Sequence, residues 1–195
     1  LRLPGKTSTL ELDTTLVAKA GESKIHAAAD VTPVKPKKGK GWTLEGATGS
    51  LTVKVKDLDL ESIEPLIALS GTEVKTKGRL SVDLKSEIKD GQLANVTGKV
   101  TGSGLDVAAP QLKGDRFQTR VLDADVKVTT KDKSINIESL RLKTDWASLS
   151  LSGSVPTDLA GEDNFKSLWQ SDLVGSFDCD LPAVASLMPN TLGLK

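Results

Sequence analysis

The chain has 195 residues, and its 26 Lys and Arg balance 26 Asp and Glu, so the formal net charge is zero. This balance gives no electrostatic footprint for nucleic acid, and the shortage of aromatic rings, with three Trp, three Phe and no Tyr, argues against a carbohydrate platform or a base-stacking surface. One cysteine excludes an internal disulfide and a Cys-based zinc cluster, and the sequence contains no run of 18 apolar residues that would predict a membrane-spanning helix.

The amino-terminal part of the chain is predicted to form β-strands, because apolar and polar residues alternate there with a period of two. The alternation covers residues 10–16 and 24–31, and it returns at 42–44 and again at 51–55. The segment 35–40 holds four lysines, a proline and a glycine, which is typical of an exposed loop.

A short helix is predicted after these strands, at residues 59–71. Asp59 is suited to the N-cap, Pro65 is tolerated in the first turn, and Gly71 supplies a C-cap. A second short helix is predicted at 181–188.

The longest feature is a hairpin predicted between Thr72 and Val107. Its two arms alternate with one apolar parity, and they flank Asp90-Gly91. Asp-Gly between alternating segments is a strong hairpin signal, because both central residues of a type I′ turn need φ > 0. Strands of about 16 residues span roughly 50 Å and are much longer than a compact sandwich requires.

Beyond Pro110, three further strands are predicted, beginning near Phe117, Ile135 and Trp146. A change of apolar parity predicts one bulge at residues 121–122 and another at 138–139. Residues 156–170 have no clear period and are predicted to form a loop, after which a last strand begins near Leu173.

The sequence also predicts an internal repeat. The segment Asp-Leu-Asp-Leu at 57–60 aligns with Asp-Cys-Asp-Leu at 178–181, 121 residues later, and both precede a predicted short helix. The chain is accordingly divided into the end of one repeat unit (1–56), a full unit (57–170) and the start of the next (171–195), all within a single elongated β-domain at 1–195. The first residue is Leu, and the start and end are abrupt, so we expect an excised piece of a longer protein.

These segments resemble the AsmA/TamB-like proteins and, more broadly, the repeating β-groove lipid-transfer superfamily. The likeness is carried by Asp-Leu-Asp-Leu…Ile…Pro-Leu at 57–66, by Lys-Gly-Arg-Leu-Ser-Val-Asp-Leu at 77–84, and by 135–142 leading to Leu-Ser-Leu-Ser-Gly-Ser-Val at 149–155. The sequence lacks the amino-terminal membrane helix of that family, which a fragment would explain.

The strand lengths and the Asp90-Gly91 turn predict an all-β fold, mainly antiparallel, with a long, twisted and curved meander sheet and two short helices. The resemblance implies that the apolar face of this sheet forms an open groove. It implies non-enzymatic binding and transport of phospholipid, or of another acyl-chain lipid, in the cell envelope. The location would be the periplasm, with anchoring to the inner membrane through parts outside this chain. The residues expected to line the groove are Val74, Leu80, Val82, Leu84, Ile88, Val100, Val126, Val128, Ile135, Ile137, Leu140, Leu142, Leu149 and Leu151.

Two alternatives remain at this stage. The same apolar stripes fit a closed two-sheet β-sandwich, and the same composition fits a structural or adhesive β-domain of a surface protein. His26 and Cys179 are each the single residue of their type, and the strand pattern places His26 on a polar face and Cys179 on an apolar one. No catalytic residue, metal site or cofactor is therefore expected.

Overall fold

Nine antiparallel strands form a single open sheet in which each strand pairs with its neighbours in sequence. The structure is a computed structural model and describes residues 7–18, 21–34, 45–69, 71, 73–131, 134–156 and 171–193. The strands are β1 (Ser8–Ala18), β2 (Gly21–Thr32), β3 (Thr48–Asp59), β4 (Lys75–Lys89), β5 (Gln92–Ala108), β6 (Phe117–Lys131), β7 (Ser134–Thr144), β8 (Ala147–Pro156) and β9 (Asp172–Cys179). The predicted antiparallel meander is confirmed, and in the described part of the chain the two-sheet sandwich is wrong.

The predicted long hairpin is confirmed as β4 and β5, which are 15 and 17 residues long. Its turn has Asp90 at φ 53° and Gly91 at φ 75°, the left-handed pair that a type I′ turn requires. The turn places Ile88 opposite Leu93, and a register shift between Glu87 and Ile88 then places Leu84 opposite Gly98 and Val82 opposite Val100.

The helices lie at one end of the sheet, because in a meander every second connection emerges at the same end. The β3–β4 connection holds a 3-10 turn (Leu60–Ile63) and helix α1 (Glu64–Leu69), and helix α2 (Leu181–Leu187) follows β9. Asp59 accepts a hydrogen bond from the backbone N–H of Glu61 (3.2 Å), and Asp180 accepts one from the backbone N–H of Ala183 (3.0 Å). The two aspartates that align in the proposed repeat thus both act as N-caps; the repeat itself stays a prediction.

The bulges differ in part from expectation. The one predicted at 138–139 is confirmed, since the pairing of β7 with both neighbours shifts there. The bulge predicted at 121–122 is absent as a change of register, because β5 and β6 keep one register from Asn95↔Thr129 to Val107↔Phe117. Register shifts that the sequence analysis did not predict lie between β4 and β5, around Gly78 and again between Glu87 and Ile88, and between β3 and β4 after Val55.

A small apolar cluster lies at the end of the sheet that carries the helices. Its buried members are Leu58, Leu60 and Leu105, with partly buried apolar side chains packed around them. Trp42, Leu44 and residues 157–170, to which sequence patterns assigned a strand start and a loop, lie outside the described residues.

Candidate functional site

One face of the sheet is apolar across all nine strands. Residues that pair across strands lie on the same face, so the registers generate continuous rows. We define the apolar face by the three central rows, which are Leu10-Ala29-Leu51-Ser86-Val96-Val128-Ile137-Gly153-Leu173, Leu12-Ala27-Val53-Leu84-Gly98-Val126-Leu140-Leu151-Gly175 and Thr14-Ile25-Val55-Val82-Val100-Ala124-Leu142-Leu149-Phe177. None of these residues carries a charge.

The structure places most of the predicted groove residues in these rows. Those in the rows are Val82, Leu84, Val100, Val126, Val128, Ile137, Leu140, Leu142, Leu149 and Leu151. Leu80 continues the face toward the helices, opposite Leu58, and Ile88 and Ile135 continue it toward the hairpin turns. Val74 precedes β4 and lies outside the strands.

These side chains are half-buried, and none of the fourteen predicted groove residues is fully buried. Their cover comes from neighbours on the same face, since the described residues contain no second sheet and carry helices at one end only. Apolar faces of this extent that contact water are common at sites where proteins bind other proteins, membranes or ligands.

A glycine on β5 shows how neighbouring side chains share this cover. A β-carbon built on Gly98 would lie 3.0 Å from Cγ1 of Val126 and 3.3 Å from Cδ1 of Leu84. The side chains of Val126 and Leu84 therefore extend over Gly98 from the adjacent strands and cover it.

The opposite face carries charged residues, and in one row their signs alternate from strand to strand. One row runs Lys54-Asp83-Lys99-Asp125-Arg141, and the guanidinium of Arg141 lies 3.6 Å from the carboxylate of Asp125. Exposed pairs of this kind contribute about 0–1 kcal/mol each. Their main effect is to keep this face in water and so to distinguish it from the apolar one.

A cleft of about 580 Å³ lies between α2, the end of β5, the start of β6 and the β7–β8 connection. Its polar wall holds Asp145, which accepts hydrogen bonds from the hydroxyl of Thr119 and from the backbone and side chain of Arg120. These donors, Thr119 first, lower the pKa of Asp145 to about 2. The carboxylate is thus ionised and held by these hydrogen bonds, which suits a structural role better than proton transfer.

The segment after α2 is fastened to the β5–β6 connection. The buried carboxylate of Asp115 accepts hydrogen bonds from the side chain of Asn190 (2.8 Å) and the backbone N–H of Thr191 (2.5 Å). Burial raises the pKa of Asp115, but the bonds from Thr191 and Asn190 outweigh it, so the pKa lies below its usual value. The chain thereby crosses this end of the sheet from β9 back to β5.

The single histidine and the single cysteine lie far apart. His26 is on the charged face of β2, as predicted, with its Nδ1 2.8 Å from Oδ1 of Asp13, and Cys179 ends β9. Seven strand spacings of about 4.8 Å separate their strands by roughly 34 Å. Glu11, Asp13 and His26 offer three potential ligand atoms within 4.8 Å of one another, but they lie at the open edge of the sheet, where such a group is ordinarily solvated charge.

Several residues of the apolar face were missing from the predicted set. They include Ile25, Leu51, Val53, Val96 and Phe177. The alternation that assigns each to a strand is visible in the sequence, but alternation within one strand does not show which face of the next strand it joins. The hairpin registers supply that information.

Among the residues that the structure describes, no helix has the length and apolar character needed to cross a membrane. Comparison with protein-family models, curated proteins and solved structures finds no match to this chain.

Proposed function

We propose that the chain is a non-enzymatic lipid-binding module whose apolar face holds the acyl chains of phospholipid or of a similar lipid. The observation that supports this proposal is the set of uncharged rows that continue across nine strands without a covering layer in the described residues. A face of this kind favours an apolar partner, and an acyl chain provides one.

The length of the apolar face and the transfer free energy of an acyl chain are both compatible with lipid binding. Eight strand spacings of about 4.8 Å give the apolar face a length of roughly 38 Å. Transfer of a chain of about 15 methylenes out of water is worth roughly 12 kcal/mol, at about 0.8 kcal/mol each. A bilayer offers the same chain a similar free energy, so movement between membrane and protein requires exchange alone and no chemical step.

The resemblance to AsmA/TamB-like proteins extends the proposal to a place in the cell. We propose a part of a cell-envelope protein in the periplasm, anchored to the inner membrane through sequence outside this chain, along which phospholipid moves. The segments that carry the resemblance form β3 with α1, the start of β4, β7 and β8.

The test uses charges placed on the apolar face. Leu84→Asp and Val126→Asp should each reduce retention of a labelled phospholipid at least about tenfold, because a carboxylate repels an acyl chain. Their denaturation midpoints should change little, since a half-exposed carboxylate keeps much of its water. Val121→Asp is the matched control, because Val121 lies outside the apolar face and is 54% exposed.

Two results would contradict the proposal. Wild-type protein that retains no phospholipid above the control level would favour a structural or adhesive β-domain instead. Gross unfolding of both Leu84→Asp and Val126→Asp, with Val121→Asp folded, would show that a further layer covers the face.

A further inference from the structure

Two lysines face each other on neighbouring strands of the charged face. The register of β2 and β3 places Lys24 directly opposite Lys56, and side chains in this relation have β-carbons about 4.5–5.5 Å apart. In the registers of the described strands, every other directly opposite pair drawn from Asp, Glu, Lys and Arg joins an acid to a base, as Lys54 and Asp83 do. The exception is unfavourable, because like charges directly opposite each other destabilise a strand pair.

A third lysine adds to the positive charge at this place. Lys54 lies two residues before Lys56 on β3, which puts it on the same face and diagonal to Lys24, at a β-carbon distance of roughly 7 Å. All three lysines are exposed, and among the described residues none of them forms an ion pair. Their ammonium groups are therefore available to a ligand.

The three lysines line a cleft of about 320 Å³ on this face, which we call the lysine cleft. Among the described residues that line it, Asp13 supplies the one carboxylate, and this carboxylate lies 2.8 Å from Nδ1 of His26. Thr15 also lines the cleft, opposite Lys24 on β1, and its hydroxyl is a further donor. Positive charge thus exceeds negative charge in the lysine cleft.

These groups suit a compact anion that carries more than one negative charge. A lysine ammonium is a point charge with three donors on a flexible stem, so several of them can converge on the separate oxygens of a phosphate. An anion held between Lys24 and Lys56 replaces their repulsion with two attractive contacts.

The carboxylates around the lysine cleft limit the size of the anion. Asp83 lies opposite Lys54 on the side of β4, and Glu22 precedes Lys24 by two residues on β2. An extended anionic surface, such as a membrane, would contact these carboxylates together with the lysines and would be repelled by them. A small anion contacts the lysines alone.

We propose that the lysine cleft binds a compact phosphate anion with two or more negative charges, such as a diphosphate or a phosphate monoester. Lys24 and Lys56 hold it from both sides, and Lys54 and the hydroxyl of Thr15 bind its remaining oxygens. The cleft lies on the other side of the sheet from the apolar face, so its occupation does not depend on lipid binding.

The test is isothermal titration calorimetry of the full chain with sodium pyrophosphate, at low ionic strength and without divalent metal. The double variant Lys24→Ala, Lys56→Ala should lower the affinity at least about tenfold, because it removes two charge-assisted contacts. The matched control is Lys127→Ala, Lys143→Ala, which removes the same charge from the same face at β6 and β7. Its affinity should stay within about twofold of wild type.

Thermal unfolding gives a second readout, which a variant that merely lost a structural contact would not reproduce. A ligand that binds the native state stabilises it by mass action, so pyrophosphate should raise the Tm of wild type and of the control but not that of Lys24→Ala, Lys56→Ala. Without pyrophosphate, this variant should be at least as stable as wild type at low salt, because it removes the opposed like charges.

Three results would overturn the proposal. Wild-type protein that gives no binding heat and no rise in Tm with pyrophosphate would show that the lysine cleft is solvated charge. Equal losses of affinity in the two double variants would show attraction by overall charge. Binding to vesicles of phosphatidylcholine and phosphatidic acid, without binding of free pyrophosphate, would make the ligand a membrane surface.

Discussion

Substitution of Gly98 by alanine distinguishes an open apolar face from a covered one. Gly98 is at the centre of the face, and its φ is not in the left-handed region, so alanine introduces no backbone strain there. Glycine within a strand costs roughly 0.5–1 kcal/mol relative to alanine because of its greater freedom in the unfolded chain. The question is whether the new methyl group finds room.

The structure shows how close the neighbouring side chains are to that methyl group. The β-carbon would lie 3.0 Å from Val126 and 3.3 Å from Leu84, so both side chains must move by a few tenths of an ångström. On an open face they can turn outward at little cost, and Gly98→Ala should then stabilise the protein by about 0.5 kcal/mol. Under a second layer they would be locked in place, and overpacking would cost about 1–3 kcal/mol.

The assay is urea denaturation followed by circular dichroism, supported by thermal midpoints. For a chain of this length, about 1 kcal/mol corresponds to a shift of roughly 2–4 °C. Gly78→Ala provides the contrast, because Gly78 has φ 104° and its β-carbon would lie 2.5 Å from the carbonyl oxygen of Gly104. It should destabilise the protein by more than about 2 kcal/mol. A loss of more than about 1 kcal/mol in Gly98→Ala would refute the open face.

Three further predictions concern carboxylates at the end of the sheet that carries the helices. Asp180→Ala removes an N-cap and should destabilise α2 by about 1 kcal/mol, seen as faster amide exchange within α2, whereas Asp178→Ala should not. Asp115→Ala should accelerate exchange in the residues that follow α2 while the sheet stays protected; equal acceleration in β5 and β6 would contradict the fastening described. Asp145 has a pKa lowered to about 2, so its ionised form stabilises the fold above about pH 4, and this contribution is lost as the pH falls through about 2. Asp145→Asn should therefore flatten the acid side of the stability profile by at most about 1 kcal/mol after solvent screening, and a superimposable profile would contradict this.

Local signals in the sequence were sufficient for much of the fold. The period of two identified strands because successive side chains point to opposite faces. Asp90-Gly91 located the central turn because few other residues adopt φ > 0 at both positions, and Asp59 marked a helix start because its carboxylate satisfies a free N–H group. Each of these signals acts over a few residues and needs no knowledge of distant contacts.

Features that involve two strands, such as bulges and shared faces, were predicted less accurately. The parity change near Val121 was interpreted as a bulge of β6, yet β5 and β6 keep one register, and shifts that were not predicted lie elsewhere, one of them around Gly78. A bulge is a relation between two strands, so a change of parity within one strand can coincide with a register shift, as at 138–139, or occur without one, as at 121–122. Residues such as Ile25 and Val53 were recognised as strand residues but were not placed with the groove residues for the same reason.

The sequence by itself thus determined that this protein is a meander of long antiparallel strands, each with one apolar side, and which residues turn and cap the chain. The tertiary structure alone decided that these sides align into uncharged rows across nine strands, that an apolar cluster forms around Leu58, Leu60 and Leu105, and that β1 and β9 lie at the two ends of the described strand order. The physical reason is that alternation records which side of a strand avoids water, whereas strand register and long-range packing determine what, if anything, covers that side.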